Sequence, residues 1–374
     1  GTSTAEDGRI VTLLITDGST PPDSITTNPT VTGGVWMYTA DISGMVDGNI
    51  TITADVTNLI GNAATQATRT LVKDILAPIL GIDATLMDDN RVNDAEKTAV
   101  VISGTSNAED GQVVALTIGS APINASATVA GGVWTATVDI SALADGNIDI
   151  TADVSDLAGN PATQATKTVT KKAALPTLAI ADPLMADDRV NDTEKSAVVI
   201  SGTTADVEDG QAVTLTITDG LTPINAAPTV TGGVWTYTAN ISGMVDGNID
   251  ITADVSDLAG NPATQATKTL EKDIVAPTLA NDATLMTDNR VNDAEKTAVV
   301  ISGTTTGVDD GQVVTLTITD GSFTINATAT VAGGDWSYIA NFSALADGNI
   351  DITADVSDLA GNAATQATRT LVKD

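Results

Sequence analysis

The 374-residue chain contains no cysteine and no histidine. Without cysteine no disulfide supports its domains, although secreted bacterial proteins often lack disulfides, so the compartment stays open on this ground. Without histidine it lacks the commonest general base and a favoured zinc ligand. No apolar run approaches the roughly 20 residues of a membrane-spanning helix, and the first residues do not form a signal peptide. We therefore expect a soluble segment without a membrane span.

Basic residues are scarce: 16 stand against 48 acidic ones, for a formal net charge of −32. This balance argues against nucleic acid as a partner, because a phosphate backbone attracts lysine and arginine. Acidic residues usually form a solvated surface. Here they cluster in repeated segments, which makes divalent cations a second explanation.

Aromatic residues are also few, and the four tryptophans mark a repeat. They lie at positions 36, 134, 235 and 336, with spacings of 98, 101 and 101 residues. A period near 100 fits whole domains rather than solenoid units of about 20–50 residues. Proline-terminated linkers at 72–78, 170–176 and 271–277 favour extended chain between the domains. We predict four domains, called repeats 1 to 4, over residues 1–75, 76–173, 174–274 and 275–374.

Within a repeat the apolar residues alternate with polar ones. Segments 211–220, 234–241 and 248–257 each place apolar side chains on one face and Thr or Asp on the other, as expected of half-buried strands. About seven such strands per 100 residues predict an all-β chain of tandem immunoglobulin-like β-sandwich domains in an extended rod. We expect Trp134, Trp235 and Trp336 to be buried between the sheets. Because residues 1–8 align with 104–111, repeat 1 lacks the first strand and most of the second.

One acid-rich segment recurs in every repeat. D-G-N-I-D-I-T-A-D-V-S-D-L-A-G-N spans 145–160, 246–261 and 347–362, with a variant at 47–62. Counting strands alternately down and up places D-G-N at the exit end of a repeat, and D-L-A-G-N with E-D-G at its entry end. The exit end of one repeat meets the entry end of the next, so carboxylate and amide oxygens should converge there without a basic partner, as Ca²⁺ prefers. The predicted metal ligands are Asp47, Asn49, Asp74, Asp110, Asp156, Asn160, Asp246, Asn248, Asp273, Asp310, Asp358 and Asn362.

The same residues also fit ordinary turn chemistry. Asp-Gly steps are common in turns, and Asn beside Gly often only accepts a left-handed conformation. N-D-A-E at 93–96 fits a capping box with Asn93 as the N-cap and Glu96 at the third position. In the alternative metal interpretation of this motif, Asp89 and Asn90 are auxiliary ligands.

The ordered motifs resemble the bacterial immunoglobulin-like repeats of giant biofilm-associated, RTX-type adhesins. That family reads DN.INAAE, ISGT, a Gly-Trp or Val-Trp strand, DGTYT…DAAGN and a VD.TAP linker. This chain has DDNRVNDAEKTAVVISGT (88–105), VWTAT (133–137), DGNIDITADVSDLAGN (145–160) and VKDILAP (72–78). The resemblance covers essentially the whole chain. It implies a secreted, cell-surface protein, anchored at the outer membrane, whose repeats hold a distal binding domain away from the cell and are stiffened by Ca²⁺.

The second linker departs from that pattern. Lys172 stands where the other two linkers carry Asp74 and Asp273. An ammonium group repels a divalent cation from the same oxygens. We therefore predict an ion at the junctions of repeats 1/2 and 3/4, and a bending 2/3 junction where Lys172 pairs with a carboxylate instead.

Three classes of function compete. A monomeric structural extender, in contact with Ca²⁺ and with its own neighbouring repeats, fits near-identical domains best, since four domains of about 30–40 Å reach on the order of 140 Å. The alternative is an adhesive module that self-associates through edge strands or binds glycans, and low aromatic content counts against glycans. An enzyme is not expected, because no acidic pair is unique to one repeat.

Overall fold

The computed structural model describes all 374 residues and consists of strands and turns without helices. Accordingly, it contains no helix that could span a membrane. The chain divides into two compact units, Gly1–Ala173 and Ala174–Asp374. The first unit holds repeats 1 and 2, and the second holds repeats 3 and 4.

Repeats 3 and 4 of the second unit have the same eight strands. In repeat 3 they are β13 (Thr177–Ile180), β14 (Arg189–Val190), β15 (Val198–Ala205), β16 (Thr214–Thr218), β17 (Ile224–Ala226), β18 (Val234–Ala239), β19 (Gly247–Asp254) and β20 (Ala266–Lys272). In repeat 4 they are β21 (Thr278–Asn281), β22 (Arg290–Val291), β23 (Val299–Thr306), β24 (Val313–Thr319), β25 (Thr324–Thr330), β26 (Asp335–Ala340), β27 (Gly348–Asp355) and β28 (Ala367–Lys373). A three-stranded sheet, β13-β15-β18 or β21-β23-β26, faces a five-stranded sheet, β14-β20-β19-β16-β17 or β22-β28-β27-β24-β25.

In the first unit, repeat 2 repeats this arrangement and repeat 1 has one sheet. The strands of repeat 2 are β5 (Leu80–Ile82), β6 (Arg91–Val92), β7 (Val100–Ser106), β8 (Val113–Ile118), β9 (Ile123–Thr128), β10 (Val133–Val138), β11 (Gly146–Asp153) and β12 (Ala165–Lys171). The strands of repeat 1 are β1 (Val11–Thr16), β2 (Ser24–Thr27), β3 (Gly48–Val56) and β4 (Ala67–Lys73), in the order β2-β1-β3-β4.

The core follows from the period-two pattern. In repeat 3, Ile217 of β16 lies opposite Ile251 of β19, and both are fully buried. Trp134, Trp235 and Trp336 are each 2% exposed and belong to the cores of their repeats. The alternating strands therefore place one face of each sheet against the other. The predicted all-β, immunoglobulin-like sandwich is confirmed, with buried tryptophans.

Repeat 1 shows what the three-stranded sheet contributes. Leu71 on β4 is 48% exposed, whereas Leu270 at the equivalent position of repeat 3 is 1% exposed. Trp36 is half-buried. Both differences arise because no second sheet covers this face of repeat 1.

The loops at the two ends of a repeat position the candidate site. At the entry end, the main-chain N–H of Leu157 donates to Glu109 Oε2 at 3.0 Å, so D-L-A-G-N lies beside E-D-G as predicted. At the exit end, Gly146 of the D-G-N loop pairs with Lys171 at the end of β12.

Candidate metal site at the repeat junctions

The D-L-A-G-N loop is closed by its first and last residues. In repeat 2, Asp156 accepts hydrogen bonds from the main-chain N–H and the side-chain Nδ2 of Asn160, both at 2.8 Å. Asp358 and Asn362 repeat these contacts in repeat 4 at 2.8 and 2.9 Å. Gly159, which has a φ of 95°, takes the left-handed conformation that the tight return requires. The loop therefore holds a carboxylate and an amide in a fixed arrangement.

Asp156 is buried to 7% exposure yet is held as a carboxylate. Burial opposes its ionisation, but the hydrogen bonds from Asn160 outweigh burial and keep the pKa of Asp156 below its ordinary value. A charged oxygen pair is thus present at the entry end near neutral pH.

The loop reaches the linker of the preceding repeat through the asparagine. Asn160 Nδ2 donates to the main-chain carbonyl of Asp74 at 3.1 Å. In the second unit, Asn362 Nδ2 donates to the carbonyl of Asp273 at 2.9 Å. The structure therefore brings together two of the predicted sets, Asp74 with Asp156 and Asn160, and Asp273 with Asp358 and Asn362.

The linker carboxylates themselves stabilise their own turns. Asp74 Oδ1 accepts the N–H of Leu76 at 3.1 Å, and Asp273 Oδ1 accepts that of Val275 at 3.0 Å. Within each unit, no group of three or more acidic side chains is close enough together to hold a metal ion.

Each exit-end carboxylate has a basic partner. The expectation that these oxygens converge without a basic partner is therefore wrong. Lys73 Nζ lies 2.8 Å from Asp47 Oδ1, and Lys272 Nζ lies 2.5 Å from Asp246 Oδ1. The Lys73 ammonium lowers the pKa of Asp47. Asp145 and Asp347 are paired in the same way with Lys171 and Lys373 at 2.8 and 2.6 Å.

These lysines are almost completely buried, which is rare for lysine unless it is paired. Lys171 is 4% and Lys272 is 2% exposed. Lys272 also donates to the main-chain carbonyl of Met244 at 2.9 Å, and Lys171 to that of Leu143 at 2.7 Å. The last strand of each repeat ends on the lysine and points it under the D-G-N loop. The sequence carries the signal, since a lysine follows each loop aspartate by 26 residues (73−47, 171−145, 272−246, 373−347).

The remaining predicted ligands lie apart from the linker contacts. Asn49 and Asn248 are exposed on β3 and β19. Asp110 Oδ1 accepts the N–H of Gly131 at 2.8 Å, and Asp310 Oδ1 accepts that of Gly333 at 2.7 Å. Each aspartate thus stabilises a hairpin turn. The acidic side chain beside D-L-A-G-N in repeat 2 is Glu109, which was not among the predicted ligands.

The N-D-A-E motif forms the predicted capping box. Asn93 N–H donates to Glu96 Oε2 and Glu96 N–H donates to Asn93 Oδ1, each at 3.0 Å. The box begins a turn rather than a helix. Asp89 accepts the N–H of Arg91 at 2.8 Å and Asn90 accepts that of Leu86 at 3.0 Å.

Comparison with known proteins yields solved structures only: no family model and no curated protein matches the chain. A crystal structure of a tetra-tandem repeat from the extending region of a large adhesion protein is 30% identical, over 100% of this chain and 94% of that one, with a TM-score of 0.40. The chain belongs to this family of adhesin extender repeats. This assignment rests on the sequence identity over the full length of the chain and not on the TM-score of 0.40.

Two further solved structures are similar to this chain. A Ca²⁺-stabilized adhesin that helps an Antarctic bacterium reach out and bind ice is 27% identical, covering 100% of this chain and 93% of that one, with a TM-score of 0.40. A 1.5-MDa bacterial ice-binding adhesin is 26% identical, covering 81% of this chain and 99% of that one, with a TM-score of 0.40. These relatives are parts of adhesins rather than enzymes.

Proposed function

We propose that this chain is a Ca²⁺-stiffened extender of a secreted bacterial adhesin, anchored at the outer membrane, which holds a distal ligand-binding domain away from the cell surface. The observation that carries the proposal is the repetition of one junction contact. The asparagine of D-L-A-G-N binds the preceding linker carbonyl in both units, at 3.1 and 2.9 Å. A contact that joins repeat 2 to repeat 1 and repeat 4 to repeat 3 fits a chain whose purpose is length.

Calcium is supported by the chemistry of the oxygens at these junctions. Asp156 supplies a buried carboxylate, Asp74 a linker carboxylate and carbonyl, and Asn160 an amide beside them. Hard oxygens of this kind suit Ca²⁺, and an ion there would neutralise repulsion between the carboxylates. Asp273, Asp358 and Asn362 provide the same groups for an ion in the second unit.

The exit-end aspartates contribute less to such a site. Asp47 and Asp246 already lie against a lysine ammonium, which occupies one carboxylate oxygen and lowers the local attraction for a cation. The proposed ligands therefore centre on the linker and the D-L-A-G-N loop. Lys172 replaces the linker carboxylate between repeats 2 and 3, so we assign no ion to that linker.

Isothermal titration of the full chain with CaCl₂, after treatment with chelator, tests this proposal. We expect binding at about 10⁻⁴–10⁻³ M, the range of extracellular modules. Mg²⁺ should bind more weakly, because it requires a smaller octahedral site. Sedimentation of the same samples should give a monomer with and without Ca²⁺. No Ca²⁺ binding heat would contradict the calcium part of the proposal, and Ca²⁺-dependent dimers would favour the adhesive alternative.

A further inference from the structure

The exit end of repeat 3 presents a main-chain donor that its own repeat leaves unused. Asn191 begins a capping box: its Oδ1 accepts the N–H groups of Thr193 and Glu194 at 2.9 and 3.1 Å, and its own N–H donates to Glu194 Oε2 at 3.1 Å. The first N–H groups of such a turn need acceptors from outside it. Within repeat 3 the N–H of Asp192 has none.

Repeat 4 supplies that acceptor. Asn362 Oδ1 accepts the N–H of Asp192 at 2.9 Å, while its Nδ2 donates to the carbonyl of Asp273 at 2.9 Å. In return, Asn191 Nδ2 donates to the carbonyl of Ala360 at 3.1 Å. One asparagine thus joins two separate segments of repeat 3, the capping turn and the linker.

The orientation of the Asn362 amide is determined by its surroundings. Its second Nδ2 hydrogen is used by Asp358 Oδ2 at 2.9 Å. A flipped amide would set its oxygen against the Asp358 carboxylate and its N–H₂ against the Asp192 N–H, which are repulsive pairs. Asn362 is only 6% exposed, so water competes weakly for these bonds.

The glycine that precedes Asn362 allows the two repeats to approach closely. Gly361 has a φ of 91°, and a Cβ built on it would lie 3.3 Å from Asn191 Nδ2. The loop therefore presents bare backbone to Asn191. All three contacts between the repeats use amide groups and main-chain atoms, and none of them needs an ion.

We propose that Asn362 and Asn191 form an amide lock, a calcium-independent docking surface by which the D-L-A-G-N loop of one repeat holds the exit end of the repeat before it. The lock deepens the extender function proposed above and rests on it for its purpose. Neutral donors and acceptors hold the junction without adding to the charge of a chain at −32. Calcium then adds to a junction that is already formed.

The experiment is hydrogen exchange of the full-length chain in EGTA, read by mass spectrometry on peptides that cover 191–195. In wild type, the Asp192 amide should be protected. Asn362→Ala should accelerate its exchange by about fivefold to tenfold, the effect of losing one buried hydrogen bond. Asn160→Ala, the matched change in the first unit, should leave these peptides unaltered.

A second variant separates the lock from a misfolded loop. The double variant Asp358→Asn/Asn362→Asp exchanges the two side chains, so the loop keeps one amide and one carboxylate in contact. It retains an acceptor for the Asp192 N–H and loses the donor to the Asp273 carbonyl, so protection at Asp192 should return. Equal exchange of the Asp192 amide in wild type and Asn362→Ala in EGTA, whether protected or unprotected, would overturn the lock. If protection appears only with added Ca²⁺, the lock is wrong and the calcium proposal stands. If the Asp192 amide is protected in EGTA and the chain binds no Ca²⁺, the lock stands and the calcium proposal is wrong.

Discussion

Gly202 on β15 and Trp235 on β18 lie directly opposite each other, and the indole occupies the space that a side chain on Gly202 would need. A Cβ on Gly202 would lie 2.5 Å from Cζ2 of Trp235 and 2.0 Å from the carbonyl oxygen of Ala179. Gly104 and Gly303 stand in the same relation to Trp134 and Trp336. The glycine of I-S-G-T is therefore what allows the tryptophan to be buried.

We expect Gly202→Ala to destabilise repeat 3 by about 1–3 kcal/mol or more, because the strand and the indole must both shift. The measurement is urea unfolding followed by tryptophan fluorescence, which should be blue-shifted in the folded chain and move to the red in the variant. Gly243→Ala is the matched control, since nothing lies within 4 Å of a Cβ there. Equal stability of the two variants would show that the indole is not held as described.

Removing a buried lysine should weaken the exit end of a repeat. Lys272→Met leaves Asp246 without its ammonium and the Met244 carbonyl without a donor. We expect a loss of about 2 kcal/mol, the range for hydrogen bonds to charged groups. The pair of Lys296 and Asp293 supplies the control because its carboxylate is 89% exposed, so Lys296→Met should cost much less than Lys272→Met. Thermal unfolding of both variants decides this, and equal losses would contradict the structural role of Lys272.

Acid should destabilise the chain through a recurring aspartate. The Ser19 hydroxyl, with main-chain N–H groups, lowers the pKa of Asp17 to about 2, and the main-chain N–H of Val245 lowers the pKa of Asp219. Because both pKa values are depressed on folding, the contribution of each aspartate is complete above about pH 5, where unfolded aspartate is fully ionised. It is lost as the pH falls through the folded-state pKa, which for Asp17 is about 2. Asp219→Asn should flatten this decline in urea midpoints measured from pH 7 to 2. An unchanged acid decline would show that Asp219 does not contribute.

Much of the fold could be predicted because its strands are amphipathic and its tryptophans periodic. The parallel strand Arg290–Val291, beside β28, was not predicted, because two residues carry no period. Its equivalents in repeats 2 and 3 were missed for the same reason.

The candidate site was predictable only in part. The capping box at Asn93 and the approach of D-L-A-G-N to the linker follow from local motifs and strand counting. The pairing of Asp246 with Lys272 was not predicted from the sequence, because a lysine at the end of a strand is usually exposed. Only the packing under the loop shows that the lysine turns inward.

The linker lysine gives a test of calcium stoichiometry. Lys172→Asp supplies the carboxylate that the first and third linkers carry, so one more Ca²⁺ should bind per chain in titration calorimetry. Lys172→Gln, which removes the positive charge without adding a ligand, is the control and should add no ion. The same stoichiometry for wild type and Lys172→Asp would contradict the assignment of the ion to the linkers.

Small-angle X-ray scattering in millimolar Ca²⁺ and then in excess EGTA tests the central claim most directly. If the repeats are a calcium-stiffened extender, the chain in Ca²⁺ should have a maximum dimension on the order of 140 Å and the scattering of a stiff particle. EGTA should give a broader, more flexible distribution of distances while the sheets stay folded by circular dichroism. A compact particle in Ca²⁺, or scattering curves that coincide in Ca²⁺ and EGTA, would contradict the account.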